Sequence, residues 1–163
     1  MARHIELNPV SFLTVGTVGE PGDRTFYVQG SQGTETISLV IEKEQAATLA
    51  ANFESLLKEL AEKHPNVVNE QEDTIWRDMR LKEPVEALFR VGNMGLGYNE
   101  ETDQVVLVAY ELVEEEEEPN VVSYWASREQ IKLLVAHTAS IVKKGRFFDP
   151  GIQFVPKRNG HVS

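Results

Sequence analysis

The same helix pattern occurs twice in this chain, 85 positions apart, first in KEQAATLAANFESLLKE from residue 43 and then in REQIKLLVAHTASIVKK from residue 128. The pairs that match at this offset include Glu44 and Glu129, Gln45 and Gln130, Leu49 and Leu134, and Ser55 and Ser140. Apolar residues recur in both stretches at i, i+3, i+4 and i+7, which is typical of an amphipathic helix. The pattern therefore predicts two helices, at about 43–63 and 127–144, that bury the same face.

Strand patterns precede each helix. A period of two is present in TISLVI from residue 36 and in VVSYWA from residue 121, as expected when alternate side chains point to opposite faces of a sheet. Further upstream, VGTVG at 15–19 matches VGNMG at 91–95, and RTFYVQ (24–29) and QVVLVAYELV (104–113) are also strand-like. Each half is thus predicted to contain three antiparallel strands and then a helix, with an additional strand at 5–7.

We predict an α+β fold in which two βββα repeats form a curved antiparallel sheet with two helices about a pseudo-twofold axis. One βββα unit is too small to bury a stable core, whereas two units packed together complete one. The 163 residues are expected to form a single domain,. Its predicted parts are repeat 1 at about 11–63, a connector at 64–84, repeat 2 at about 85–144 and a C-terminal tail at 145–163.

Composition excludes several classes of partner and site. The chain has no cysteine, which removes disulfides, thiolate zinc sites and cysteine nucleophiles. Its 26 acidic and 16 basic residues give a net charge of −10, which repels phosphate backbones, so duplex nucleic acid is not expected as a partner. No apolar run approaches the roughly 20 residues that span a bilayer. We expect no membrane partner and a cytoplasmic location.

Motifs of catalysis and metal binding are not found. The histidines at 4, 64, 137 and 161 are too scattered to suggest a shared metal ion,. GTVGEPG (16–22) leads into a strand rather than a helix, which indicates a hairpin turn and not a phosphate-binding loop,. We therefore assign no catalytic, cofactor-binding or metal-binding residue and no cofactor, and an enzyme is the less favoured reading.

The glycine-rich stretch FRVGNMGLGYNE is the best candidate for a binding surface. Glycines at this density within a strand are typical of a bulge, a bend or a close backbone approach. Aromatic and polar residues on the neighbouring strand and in the tail extend this surface. The candidate residues for a ligand or a partner are Arg90, Gly92, Asn93, Gly95, Tyr98, Trp125, Arg158 and Asn159.

Three segments resemble an uncharacterised family of bacterial proteins, mostly from actinobacteria, that is classed as a domain of unknown function. They are FLTVGTVGEPGDRTFYVQ, FRVGNMGLGYNEETDQVVLVAYEL and the terminal PKRNGH. The resemblance covers nearly the whole chain and implies no known activity. Genes of the family often lie beside those of a histidine-phosphatase-like and a phosphoinositide-kinase-like protein, which implies a shared, phosphate-related pathway.

The C-terminal tail departs from what the resemblance implies. Typical members have a zinc-knuckle-like end with a CPxCG pair and then a segment similar to LDPxGHxCPRxNG. This chain has GRFFDPGIQFVPKRNGH at 145–161, with Val155 before Pro156 where the later cysteine would stand. The implied zinc site therefore does not carry over, and the tail is expected to dock on the domain through apolar side chains.

Three functions fit these observations. The first is a noncatalytic binding or adaptor protein that acts through its curved sheet and its tail, with a protein as the expected partner and a second copy of the chain as a further candidate. The second is a single-strand nucleic-acid binder, by analogy of fold with Whirly and PUR domains. The third is an enzyme of unknown class in the phosphate-related pathway. The acidic, motif-poor sequence favours the first.

Overall fold

The computed structural model describes residues 2–20, 22–65 and 78–147, which contain seven strands and two helices. In chain order these are β1 (His4–Leu7), β2 (Phe12–Glu20), β3 (Asp23–Gln32), β4 (Glu35–Ile41), α1 (Lys43–Lys63), β5 (Ala87–Asn99), β6 (Gln104–Glu111), β7 (Val121–Ala126) and α2 (Arg128–Phe147). The predicted α+β class is confirmed. The first helix has its predicted bounds, and the second ends three residues later than predicted.

One sheet contains all seven strands in the order β1-β7-β6-β5-β4-β3-β2. Pairing is antiparallel within β2–β4 and within β5–β7, as predicted. The β4–β5 and β1–β7 pairs are parallel, which the sequence analysis did not predict. Parallel neighbours need a crossover connection, and α1 lies in the connection between β4 and β5. The sheet is therefore mostly, but not wholly, antiparallel.

The matched glutamines of the two helices have the same role. At the start of each helix the side-chain oxygen of Gln45 or Gln130 accepts a hydrogen bond from the backbone N–H three residues earlier, at 2.7 and 2.9 Å. Each side-chain amide then donates to a backbone carbonyl outside its own helix, Gln45 to Gly92 at 3.2 Å and Gln130 to Val10 at 3.1 Å. The sequence match thus reflects shared capping contacts, while the pseudo-twofold relation of the whole repeats stays a prediction.

The sheet curls until its two ends approach each other. Tyr124 on β7 donates a hydrogen bond from its hydroxyl to the Ile37 carbonyl on β4 at 3.1 Å. A Cβ atom at Gly30, on β3, would lie only 2.5 Å from the Tyr124 ring. In a flat sheet β3 and β7, four strands apart, would be separated by about 19 Å. Strong curvature therefore brings these strands together, and glycine at position 30 leaves room for the ring.

Both helices contribute to the core beneath the curved sheet. Leu49 and Phe53 of α1 and Ile131 and Leu134 of α2 are buried and belong to one apolar cluster with the strands. The helices pack on each other, and α2 also lies along β2. We call the side of the sheet that carries these core residues the core face, and the opposite side the outer face.

Candidate binding surface

The outer face of β2–β4 is covered by residues 78–85 of the same chain. Thr14 donates a hydrogen bond from its hydroxyl to the Met79 carbonyl at 2.6 Å. Gln29 makes two hydrogen bonds with the backbone of Lys82, donating to its carbonyl at 3.0 Å and accepting from its N–H at 2.8 Å. Thr14 and Gln29 have no exposed surface. Buried polar groups of this kind need such partners, so the segment is an integral layer over this half of the sheet.

The covering segment also makes a close contact with β2 and contains an exposed ion pair of its own. A Cβ atom at Gly16 would lie 2.6 Å from the Leu81 side chain, so the segment approaches the β2 backbone closely. Arg80 donates two side-chain hydrogen bonds to the carboxylate of Asp78, at 3.0 and 2.8 Å. These bonds lower the pKa of Asp78 to about 2. The carboxylate therefore stays ionised across the neutral range.

The corresponding face of β5 and β6 has no such layer among the described residues. Asn93 pairs with Tyr110, and Gly95 pairs with Val108, so these four residues share the outer face. A Cβ atom at Gly95 would find no heavy atom within 4 Å. Tyr110 is 39% exposed, and Leu112, just after β6, is 59% exposed. We call Asn93, Gly95, Val108, Tyr110 and Leu112 the β5–β6 surface.

An acidic loop borders the β5–β6 surface. Glu114–Glu118 begin two residues after Leu112, and all five are exposed. The loop folds locally, because the Glu117 N–H donates to the Glu114 carbonyl at 3.0 Å. An exposed apolar patch with a polar rim is the usual composition of a protein interface. The rim of the β5–β6 surface therefore carries strong negative charge.

The residues predicted from sequence do not all meet at one place. Gly92 and Asn93 line a groove of about 270 Å³ between α1 and β5. Arg90 donates a hydrogen bond to the carboxylate of Glu42 at 2.6 Å. Trp125 pairs with Val106 on the outer face of β7, Gly95 lies on the β5–β6 surface, and Tyr98 belongs to the core face. Arg158 and Asn159 lie outside the described residues.

Sequence reasoning missed the two most exposed members of the β5–β6 surface, Tyr110 and Leu112. Both residues stand near the end of the strand-like run QVVLVAYELV (104–113). A usable signal was present, because this apolar run ends immediately before five consecutive glutamates. The structure adds that Leu112 donates its N–H to the Arg90 carbonyl at 2.7 Å.

The model of a family described as a protein of unknown function (DUF3090) matches residues 5–162. The chain belongs to this family. Comparison with curated proteins and comparison with solved structures each gave no match. Membership in the DUF3090 family thus agrees with the resemblance in the sequence and carries no assigned activity.

Aromatic residues of this DUF3090 protein are divided between the two faces of the sheet. Tyr98 and Tyr124 lie with the core, whereas Tyr110 and Trp125 lie on the outer face. A stacking platform for single-stranded nucleic acid needs aromatic rings in succession on one accessible surface. The arrangement therefore gives no support to the nucleic-acid hypothesis.

Within residues 2–20, 22–65 and 78–147, no three His, Asp or Glu side chains converge as metal ligands. Neither of the two described helices is long and apolar enough to cross a membrane.

A polar cluster around Arg128 joins the end of α1, the β5–β6 turn and the start of α2. Arg128 donates from Nε to Asp103 at 2.9 Å, from Nη2 to the Tyr98 hydroxyl at 3.2 Å, and to the His64 carbonyl. The Arg128 side chain is only 7% exposed. Because every contact ties one element to another, the cluster is a structural link.

Tyr98 donates one further hydrogen bond within this cluster. Its hydroxyl donates to the Asp103 carboxylate at 2.6 Å. Burial, followed by this hydrogen bond to the carboxylate, raises the pKa of Tyr98 above its usual value. The phenol therefore stays protonated at neutral pH and does not serve as a base.

Replacing Arg128 with methionine is expected to lower the free energy of unfolding by about 2–3 kcal/mol, because partly buried acceptors lose a charged donor. This loss of unfolding free energy is smaller than the loss expected for a fully buried ion pair, because Asp103 is 36% exposed. Chemical denaturation of both proteins measures the difference. Arg80→Met is the matched control, because Arg80 is 86% exposed, and it should keep the wild-type midpoint. Equal effects of the two substitutions would contradict a linking role for Arg128.

Proposed function

We propose that this protein is a noncatalytic binding or adaptor protein that holds a protein partner on its β5–β6 surface. One observation carries the proposal: residues 78–85 cover the outer face of β2–β4, while Tyr110 and Leu112 on the β5–β6 surface stay 39% and 59% exposed. The β5–β6 surface combines an aromatic side chain, Tyr110, with an aliphatic one, Leu112, and Gly95 leaves the neighbouring backbone without a side chain. Tyrosine is among the residues that most often dominate binding energy at interfaces.

Charge specifies the kind of partner. Exposed Glu114–Glu118 border the surface, and the chain as a whole carries a net charge of −10. Complementary charge speeds association and selects among partners. The partner that fits is a protein with an apolar patch bordered by lysine or arginine. The tail residues Arg158 and Asn159, which lie outside the described residues, remain part of the proposal as candidates from the sequence.

The test compares capture of partners by wild-type protein and by the double variant Tyr110→Lys/Leu112→Lys. The substitutions remove the apolar contacts and add charge that repels a basic partner. Proteins retained from an extract of the source organism are quantified by mass spectrometry, and the affinity of the most depleted one is then measured with purified components. We expect the double variant to bind it at least about tenfold more weakly, the effect of losing 1.4 kcal/mol.

Val18→Lys provides the matched control. Val18 is an exposed apolar residue at 47% exposure, but it lies on β2, away from the β5–β6 surface. The control should retain the partner as the wild type does, and binding should weaken as salt is raised. Equal capture by wild type and double variant, or equal loss in the Val18→Lys control, would contradict the proposed surface.

A further inference from the structure

A cavity of about 420 Å³ lies beside the start of α1 and is separate from the β5–β6 surface. Arg24 of β3, Lys43 of α1 and Arg90 of β5 all line it, together with Glu42 and Glu44. Three separate elements thus bring cationic side chains to one cavity in a strongly acidic chain. Such a concentration of positive charge is the first observation that points to a ligand.

Arg24 supplies the second observation. Its Nε atom is shielded from solvent and has no hydrogen-bond partner. Among the described residues its guanidinium group makes no hydrogen bond and no ion pair. A shielded donor without an acceptor is costly in a folded protein. A bound acceptor in the adjoining cavity would remove that cost.

The positive charges around the cavity are not all paired with negative ones. Arg90 is paired with Glu42 at 2.6 Å, whereas no described residue forms an ion pair with Lys43. Lys43 and Arg24 are partly buried, while Glu42 and Glu44 are exposed. Water screens exposed carboxylates much more effectively than partly buried cations. The lining therefore presents net positive charge towards the cavity.

The beginning of α1 adds to this potential. Lys43 and Glu44 belong to the first turn of the helix, where backbone N–H groups lack partners within the helix and the helix dipole is positive. This contribution is secondary to the side chains. It acts in the same direction as Arg24 and Lys43, because all of them favour an oxyanion at this end of the helix.

We propose that this cavity binds a small ligand through a doubly charged oxyanion such as a phosphate group. Arg24 contacts two oxygens of the group with its planar fork of donors, and Lys43 contributes a second positive charge. The site goes beyond the proposed binding of a protein partner, and each can fail without the other.

Titration with inorganic phosphate tests the site, followed by amide chemical shifts in NMR spectra at constant ionic strength. Phosphate should shift the amides of Thr25, Lys43 and Glu44 in a saturable manner in the wild type. Arg24→Gln should weaken the phosphate affinity about tenfold or more, as expected for loss of a charge-assisted, two-pronged contact. Lys43→Gln should weaken it by a smaller factor, since it removes a single point charge.

Two substitutions control for net charge. Arg3→Gln and Lys58→Gln remove the same charges from exposed residues outside the cavity, and both should bind phosphate within about twofold of the wild type, because distant exposed charges are screened. Thermal melting establishes that each variant is folded. The proposal is overturned if the wild type shows no saturable shift, if chloride gives the same shifts, or if Arg24→Gln binds phosphate as the wild type does.

Discussion

Replacing Tyr124 with alanine is expected to lower the free energy of unfolding by about 3–5 kcal/mol, the usual cost of truncating a large buried aromatic side chain. Tyr124 has no exposed surface, and its ring fills the space above Gly30, where a Cβ atom would lie 2.5 Å away. The alanine variant leaves a cavity where β3, β4 and β7 meet. Urea denaturation of both proteins measures the loss.

Tyr124→Phe separates the ring from the hydroxyl. Burial raises the pKa of Tyr124 far above its usual value, so the hydroxyl remains a donor to the Ile37 carbonyl. Removing it should cost about 1–2 kcal/mol, the effect of one lost hydrogen bond to a buried acceptor. An alanine variant no less stable than the phenylalanine variant would show that the ring does not hold the two ends of the sheet together.

Leu49→Ala and Leu134→Ala are each expected to lower the free energy of unfolding by about 2–5 kcal/mol, as leucine truncations in a packed core do. The two leucines occupy matched positions in α1 and α2, and their exposed fractions are 3% and 1%. Because the helices pack on each other over one core, the two losses should be similar. Denaturant unfolding measures the two losses. The midpoints can be compared directly if the unfolding free energy depends equally on denaturant concentration in each protein.

Leu112→Ala is the control for these two substitutions. It makes the same chemical change at a residue that is 59% exposed, so stability should stay within about 0.5 kcal/mol of the wild type. Wild-type stability in either Leu49→Ala or Leu134→Ala would remove that residue from the core and weaken the assignment of equivalent apolar stripes.

Local patterns in the sequence were sufficient for the helices and strands. The period of 3.6 residues placed α1 at its observed bounds, and the period of two placed the strands before each helix. These elements are predictable because each buries one face, and burial leaves a regular spacing of apolar residues. The end of α2 was less predictable, because Gly145, directly after Lys144, is a common signal for the end of a helix, yet α2 continues through it to Phe147.

Curvature and parallel pairing are not local properties. Nothing near Gly30 in the sequence indicates that Tyr124 will cover it, because the contact depends on how far the whole sheet twists. The β4–β5 pairing depends on the connection through α1, and an antiparallel arrangement would have produced the same alternation of apolar residues. Residues 78–85 were predicted only as part of a polar connector, although their backbone satisfies buried Thr14 and Gln29.

The residues that surround the proposed sites come from distant parts of the chain. The glycines of β5 drew attention to the strand that carries Gly95, but no pattern brings Arg24 and Lys43 to one cavity. Arg128 begins a helix in the sequence, and its side chain links three elements in the structure. Charged residues are difficult to place from sequence because their partners are distant along the chain.

The parallel pairing of β1 with β7 has a consequence for the order in which the protein folds during synthesis. The N–H of Arg3, next to β1, donates to the side chain of Asn120, 117 positions later. At about 5–20 residues per second, a ribosome makes β7 roughly 6 to 23 seconds after β1. Leu7, fully buried in the finished fold, has no strand to pair with during that interval. We therefore expect β1 to be placed late in folding, after β2–β6, so that the sheet is completed only once β7 has emerged.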